Sequence, residues 1–181
     1  MKAFLVYHSP LGDMILAASV KGLCGVWFAG QKHLPVFSAW TKAKRNPLLN
    51  ETRRALTGYF ASKDETFDFS LDLSAGTEFQ QQVWRALQRI APGRTTTYSD
   101  IARRIGKPSA VRAVAAAIGR NPLSIIVPCH RVIGRDGSLT GYAGGLQRKA
   151  ALLALEAGYP PSAASKALSK GLPKRRDMVT T

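Results

Sequence analysis

The hydrophobic pattern of this chain changes near residue 75, and this change restricts the fold more than any other feature. Before it, apolar runs at residues 4–7, 14–19 and 23–28 alternate with turn-forming segments that contain Gly, Pro or Ser. Short apolar runs between such turn signals are typical of β-strands joined by tight turns. We therefore predict a three-stranded antiparallel meander at the start of the chain.

The following segments add a helix and one more strand to this first part. Residues 48–60 place apolar side chains at helical spacing, whereas residues 66–73 alternate apolar and polar side chains strictly. The small residues Ser74-Ala75-Gly76 then predict a linker. We therefore predict an α+β domain over residues 1–74.

Short helical segments with capping signals follow the linker. Thr77 precedes an amphipathic helix, Ser99 precedes a helix over residues 100–105, and Ser109 precedes a helix over residues 110–118. Two short helices joined by a Gly-containing turn are typical of a helix-turn-helix, and the second would be the recognition helix.

A last helix is predicted over residues 146–157, where apolar side chains again recur at helical spacing. The second domain, over residues 75–160, is therefore mostly helical. The predicted fold class is α+β: a small α+β N-terminal domain, followed by a mostly helical C-terminal domain with a winged helix-turn-helix-like DNA-binding motif.

The chain is strongly basic, with 26 Lys and Arg against 11 Asp and Glu in 181 residues. Residues 1–74 carry nine basic and six acidic side chains, residues 75–160 carry twelve and four, and residues 161–181 carry five and one. Such an excess predicts a polyanionic partner, because each neutralised phosphate releases a counterion. The alternative is a solvated cationic face. Residues 161–181 are predicted to form a basic flexible tail.

Composition also excludes several classes of protein. Two cysteines and three histidines argue against a disulfide framework and against a zinc site, and we predict no metal and no cofactor. No apolar run approaches the ~18 residues of a membrane span, and the start of the chain predicts a strand rather than a signal peptide. We therefore expect a cytoplasmic monomer.

The strongest candidate for a reactive site is Pro128-Cys129-His130-Arg131. Pro128 is expected to end a strand over residues 123–127 and to present Cys129 at its end. A thiol reacts as thiolate, and burial raises its pKa unless a base or a cation offsets the effect. His130 and Arg131 could supply both. The alternative is a small buried cysteine in a strand, since free Cys is among the most buried residue types.

Several stretches of the sequence, in order, resemble the alkylguanine-DNA alkyltransferases, also called methylated-DNA-protein-cysteine methyltransferases. They are residues 76–84, residues 93–102, residues 121–122, residues 128–131, residues 141–145 and residues 152–156. The resemblance implies that Cys129 accepts an alkyl group from O6 of guanine in double-stranded DNA and is never regenerated. Activity on O4 of alkylated thymine stays open.

The same resemblance implies catalytic roles for five residues. His130 and Glu156 would form a triad with Cys129, in which the carboxylate orients the imidazole and the other ring nitrogen reaches the thiol directly or through water. Tyr98 would donate toward the departing purine. Asn121 would tie together the turn that bears the cysteine, a structural more than a catalytic role.

Residues of the guanine pocket and of the DNA interface are implied in the same way. The pocket set is Val132, Tyr142, Ala143, Gly144 and Lys149, and the DNA-binding set is Thr97, Ser99, Ala110, Arg112 and Ala113. Lys149 would help to polarise Tyr98. Several relatives have serine where this chain has Ala143, and the loss of that hydroxyl leaves O6 recognition to backbone amides.

The predicted recognition helix offers small side chains and one arginine, whereas major-groove readers use long polar side chains. This surface suits close approach to the minor groove, with Arg112 filling the place of an extruded base. The alternative is an Ala-rich helix packed in the core, with Arg112 as a surface charge.

Three rival functions fit parts of the pattern. A noncatalytic lesion binder of the alkyltransferase-like type would have the cysteine replaced, and Cys129 is present. A methyl-responsive regulator would need a further sensor domain, for which 181 residues leave no room. A cysteine hydrolase would have no use for a basic helix of the minor-groove type.

Overall fold

A computed structural model describes residues 2–63 and 66–159 of the chain. Its first part contains a four-stranded sheet in the order β3-β2-β1-β4. The strands are β1 (Ala3–Ser9), β2 (Gly12–Ser19), β3 (Gly22–Phe28) and β4 (Thr41–Lys42). The first three strands pair antiparallel in sequence order, which confirms the predicted meander.

The edge strand β4 was not predicted, because two polar residues carry no periodic signal. It pairs in parallel with the start of β1. The predicted strand over residues 66–73 is wrong: these residues form only one isolated bridge, between Leu71 and Leu23. Phe67 and Phe69 do pack on the core, so their alternation reflects burial rather than a ladder of backbone hydrogen bonds.

The helix α1 (Pro47–Phe60) covers one face of this sheet. Its start follows from two residues: Asn46 Oδ1 accepts from Leu49 N at 3.0 Å, and a proline occupies the first turn, where no amide donor is needed. Leu49 and Leu56 are fully buried on its inner face.

Up to residue 159, the second part contains four α-helices and a small two-stranded parallel sheet. The helices are α2 (Glu78–Leu87), α3 (Tyr98–Arg104), α4 (Val111–Gly119) and α5 (Leu146–Glu156), and the strands are β5 (Thr96–Thr97) and β6 (Val132–Ile133). Within the described residues, this arrangement and the preceding sheet confirm the predicted α+β fold class.

Capping differs from the prediction in two of three helices. Thr77 caps α2 in a full capping box with Gln80, as expected. The cap of α3 is Thr97, whose hydroxyl accepts from Asp100 N at 3.2 Å, and not Ser99. Helix α4 has no side-chain cap among the described residues, so the prediction for Ser109 is also wrong. Both errors come from placing the helix start by residue type alone.

The two parts of the chain join along the outer edge of β3. Val26 N donates to Pro122 O and Ser124 N donates to Val26 O, both at 2.8 Å. The predicted strand over residues 123–127 is wrong, because Ile125 has a φ of +74° that a β-branched residue rarely adopts and that breaks an extended run. This anchored bend leads directly into the cysteine segment.

One hydrophobic core runs through both parts. Phe28 of the sheet, Leu123 of the bend and Trp84 of α2 belong to the same buried cluster. Within the described residues, no helix is long and apolar enough to cross a membrane. The predicted tail over residues 161–181 lies outside the described residues.

Candidate active site

Cys129 opens a single 3-10 turn, Cys129–Arg131, directly after Pro128. Its amide donates to Val127 O at 2.8 Å, and the amide of Arg131 donates to Pro128 O at 3.0 Å. Only 5% of the Cys129 surface is exposed. The thiol is therefore held in a tight and largely dry turn rather than at the end of a strand.

Asn121 binds this turn to the end of α4. Its Nδ2 lies 2.7 Å from Val127 O and 3.0 Å from Cys129 Sγ, and its Oδ1 accepts from Leu123 N at 3.0 Å. The turn-tying role implied by the resemblance matches these contacts. The direct contact with sulfur goes beyond it, because a donor at Sγ favours the thiolate.

The pKa of the Cys129 thiol is nonetheless above its ordinary value, which favours the neutral thiol near neutral pH. Burial raises its pKa, and the hydrogen bond from Asn121 and the charge of Lys149 oppose that rise without cancelling it. We expected His130 and Arg131 to offset burial. They do not: burial lowers the pKa of His130 despite its bond to Glu156, and Arg131 is paired with that same carboxylate.

His130 is fully buried, and its Nε2 lies 2.7 Å from Glu156 Oε1. Because the carboxylate can only accept, Nε2 carries the proton and Nδ1 presents a lone pair. Nδ1 has no hydrogen-bond partner among the described residues. The imidazole is thus arranged as a proton acceptor whose opposite side is already fixed.

Glu156 collects donors from four other residues. Its Oε1 accepts from His130, from Arg131 Nη2 at 2.8 Å and from Tyr59 Oη at 2.8 Å. Its Oε2 accepts from Arg131 Nε at 2.8 Å and from Gly93 N at 3.3 Å. Burial would raise the pKa of this carboxyl, but the bonds and charges of His130 and Arg131 outweigh burial and hold the pKa well below its usual range. Glu156 is therefore an anion.

Tyr98 and Lys149 meet at one backbone carbonyl. Tyr98 Oη donates to Thr140 O at 2.9 Å, and Lys149 Nζ donates to the same oxygen at 2.6 Å and also to Val132 O. Burial lowers the pKa of Lys149 to about 8. Lys149 and Tyr98 are therefore linked through a shared backbone acceptor.

The predicted pocket loop is held against the N-terminal part of the chain. A side chain at Gly144 would come within 2.8 Å of the Tyr142 ring and 3.1 Å of the Phe28 ring, so only glycine fits there. Gly144 O accepts from Arg148 at 3.0 Å, and Ala143 O accepts from Lys32 N at 3.1 Å.

The predicted DNA-binding residues cluster around α3 and α4. Arg112 and Ala113 are exposed on α4, and Arg112 forms no hydrogen bond or ion pair within the described part of the chain. Ala110 and Ser99 are half-buried. Thr97 is half-buried too, and its hydroxyl is already engaged by Asp100 at 2.7 Å.

Sequence reasoning missed Tyr59 and Arg148. Tyr59 lies on the buried face of α1 and is indistinguishable in the sequence from a core aromatic residue. Arg148 Nε donates to Leu11 O at 2.9 Å, and its guanidinium lies 4.7 Å from the centre of the Phe28 ring. In residues 2–63 and 66–159, no group of three His, Cys, Asp or Glu side chains could hold a metal ion.

A buried cysteine beside a histidine–glutamate pair defines a candidate thiol-reactive site, and the short helices α3 and α4 belong to the same part of the chain. Two family profiles match the chain: "6-O-methylguanine DNA methyltransferase, ribonuclease-like domain" over residues 4–73, and "6-O-methylguanine DNA methyltransferase, DNA binding domain" over residues 78–158. The chain belongs to the 6-O-methylguanine DNA methyltransferase family.

Individual relatives agree with this assignment. The methylated-DNA–protein-cysteine methyltransferase of Methanosarcina barkeri is 48% identical over 152 residues, covering 83% of this chain and 94% of the relative. Its namesake from Mycolicibacterium paratuberculosis is 46% identical over 162 residues, covering 90% and 96%. The crystal structure of Mycobacterium tuberculosis OGT in complex with DNA aligns with a TM-score of 0.83 at 43% identity, over 90% of this chain and 98% of that one.

Proposed function

We propose that this protein repairs alkylated DNA by moving an alkyl group directly and irreversibly from O6 of guanine to Cys129. The observation that carries the proposal is the Asn121–Cys129 and His130–Glu156 arrangement in a member of this family. The names of the relatives support the reaction, and the DNA complex of the M. tuberculosis protein supports the partner. O4 of alkylated thymine is a second candidate substrate.

The reaction begins from the neutral thiol. His130 Nδ1 takes the proton of Cys129, directly or through a water molecule, and the buried Glu156 anion stabilises the imidazolium that forms. The sulfur then attacks the alkyl carbon in line. A carbon–sulfur bond forms while the carbon–O6 bond breaks, and its electron pair leaves with the guanine.

The departing guanine needs a proton on its ring, and we assign its donation to Tyr98. Tyr98 Oη gives its hydrogen to the Thr140 carbonyl in the resting protein, so it must turn from that acceptor to the base. Lys149 then remains to satisfy the carbonyl that Tyr98 has left. Since a thioether is a poor leaving group, the protein acts once.

DNA binding is assigned to the exposed face of α4 and to the preceding α3. Ala113 lets the helix approach the minor groove closely, and Arg112 fills the space that an extruded base leaves in the duplex. Because phosphate contacts and small side chains carry no base code, binding should weaken steeply with salt and depend little on sequence.

The wider organisation is part of the same proposal. We place the domain boundary at residues 74–75, which the two family profiles support by ending at residue 73 and beginning at residue 78. The basic residues 161–181 would add affinity for any DNA sequence. The protein is expected to act as a cytoplasmic monomer.

Intact-mass measurement tests the reaction. After incubation with duplex DNA that contains O6-methylguanine, the wild type should gain one methyl group and stop at one equivalent. Cys129→Ser should gain none yet still bind DNA, because a hydroxyl is a far weaker nucleophile of nearly the same shape. Cys24→Ser removes the other buried thiol and should behave as the wild type does. Turnover beyond one equivalent, or methylation of Cys129→Ser, would rule the proposal out.

A further inference from the structure

One of the donors to Glu156 comes from the N-terminal part of the chain. Tyr59 Oη on α1 donates to Glu156 Oε1 at 2.8 Å, across 97 residues of sequence. Tyr59 is 9% exposed, and its ring packs against Phe60 and Phe67 with centroids 5.5 Å and 5.8 Å away. Burial raises the pKa of this phenol well above its ordinary value, and the neighbouring Glu156 raises it further, so it remains a donor.

The acceptor is the same oxygen that His130 uses. Glu156 Oε1 receives His130 Nε2 at 2.7 Å, Arg131 Nη2 at 2.8 Å and Tyr59 Oη at 2.8 Å. A carboxylate offers about four lone-pair sites on its two oxygens. Three donors on one oxygen therefore compete, and each weakens the acceptor strength that is left for the others.

The position of Glu156 does not depend on Tyr59. Arg131 holds both carboxylate oxygens at 2.8 Å and is itself bonded to Ile90 O, while Gly93 N supports Oε2. What Tyr59 contributes is therefore chemical more than steric. By donating to Oε1, Tyr59 makes this oxygen a weaker acceptor for His130 Nε2 and so lowers the basicity of the imidazole.

We propose that Tyr59 tunes the active site: through its hydroxyl, the N-terminal part of the chain sets the strength of the His130–Glu156 hydrogen bond. With Tyr59 in place, the bond is moderate and His130 stays neutral until substrate arrives. This inference deepens the proposed function by naming what restrains the cysteine in the free protein.

The first test uses the free protein without DNA, so its outcome does not depend on alkyl transfer. The chain has three histidines, and the Nε2 proton of His130 bonded to a carboxylate should give a downfield NMR resonance. Tyr59→Phe should move it further downfield, because the remaining donors share a stronger acceptor. Tyr7→Phe is the matched control: Tyr7 is 8% exposed and its hydroxyl bonds with Thr57, away from the site.

The second test is the pH profile of single-turnover methyl transfer from the O6-methylguanine duplex. Tyr59→Phe should make the imidazole a stronger base, so the plateau rate should rise about two- to tenfold, the scale of one ordinary hydrogen bond, and the acidic limb should shift toward higher pH. In a Glu156→Gln background the same substitution should leave the profile unchanged. If the wild type transfers no alkyl group, the proposed function fails, whereas the NMR result still decides the role of Tyr59.

A fluorinated tyrosine at position 59 covers the case in which Tyr59→Phe does not fold. The more acidic phenol is a stronger donor and should move the resonance upfield, opposite to Tyr59→Phe. The proposal is overturned if the chemical shift of the His130 Nε2 proton does not change with the donor strength at position 59. It is equally overturned if Tyr59→Phe slows transfer at every pH in parallel with a loss of thermal stability, since a merely structural role predicts that result.

Discussion

The cysteine turn and the outer face of α4 differ in burial and in hydrogen bonding, although both lie in the second part of the chain. At the turn, Asn121 bonds with Val127 O and Cys129 Sγ, and His130 bonds with Glu156, all at 2.7–3.0 Å; the His130 and Glu156 side chains are 0% and 2% exposed. On α4, Arg112 is exposed and forms no bond or ion pair among the residues described. Under the proposed function, the reacting groups are arranged before DNA binds, whereas the face of α4 assigned to DNA waits for its partner.

Physical costs explain the difference. A buried carboxylate must be paired, because an isolated buried charge is costly, and Arg131 and His130 meet this need for Glu156. A surface that accepts any DNA sequence needs no preformed polar contacts. Small residues such as Ala113 also lose almost no side-chain entropy when they become buried. Substitutions at the turn should therefore affect both methyl transfer and folding, whereas substitutions on α4 should affect only the repair of duplex DNA.

The largest effect is expected for Glu156→Gln. The amide cannot stabilise the imidazolium, so methyl transfer near neutral pH should fall by about 10²- to 10⁴-fold, the usual range for general acid–base catalysis. As the pH rises toward the pKa of the Cys129 thiol, which burial raises above its ordinary value, the thiolate should form without help and part of the rate should return. A stopped-flow pH profile measures both effects.

The control for this variant is Glu51→Gln, an exposed carboxylate on α1 that should leave the profile unchanged. Glu156→Gln also leaves Arg131 without its anion, so a stability loss of about 3–5 kcal/mol should appear in denaturant unfolding. A folded variant that keeps the wild-type pH profile would mean that Glu156 does not act on the thiol.

This contrast also explains how far sequence reasoning reached. The meander and the Thr77 cap depend on local patterns, and both were predicted correctly. The predicted strand over residues 123–127 failed because an apolar run reports burial, not backbone direction, and Ile125 turns the chain at φ +74°. The same confusion of burial with extension produced the predicted strand at residues 66–73.

In the site, motif residues were easier to foresee than their connections. The family resemblance implied that His130 and Glu156 would meet, and their side chains lie 2.7 Å apart in the structure. The Thr140 carbonyl shared by Tyr98 and Lys149 could not be foreseen, because every residue has a backbone carbonyl and the sequence does not mark which one accepts. Tyr59 was hidden for a different reason: its partner lies in the other part of the chain.

A smaller effect beside the turn concerns Lys149 on α5, whose pKa is lowered to about 8 by burial. Between pH 8 and about 10.4 the unfolded chain binds this proton more tightly than the folded protein does, so stability should rise with pH in that window. Relative to Lys149→Met, the free energy of unfolding of the wild type should rise by up to about 3 kcal/mol over this pH window.

Urea unfolding of the wild type and of Lys149→Met at pH 7 and pH 10.5 measures this gain, and Lys107→Met, at an exposed position before α4, reports the effect of removing a lysine elsewhere. A stability difference between wild type and Lys149→Met that stays constant with pH would show that Lys149 keeps its proton despite burial. It would then resemble the exposed charges of α4 more than the neutral groups of the turn.

The smallest effect, and the one that isolates α4, is expected for Arg112→Ala. Losing the side chain that fills the duplex should slow methyl transfer from an O6-methylguanine duplex by about tenfold, because extruding a base costs a few kcal/mol and one side chain repays only part of it. Free O6-methylguanine needs no extrusion, so its slow reaction with Cys129 should be unchanged. Thermal stability should also be unchanged, since Arg112 is exposed and unbonded among the described residues.

Arg54→Ala is the matched control for that variant, because it removes an exposed arginine from α1 and should affect neither substrate. If Arg112→Ala slowed both reactions equally, Arg112 would belong to the chemistry or to the fold, and the separation between turn and helix would fail. A loss confined to the duplex would mean that α4 contributes only once DNA supplies its partners. The ratio of the two rates, duplex over free base, is therefore the quantity to compare between variants of the two regions.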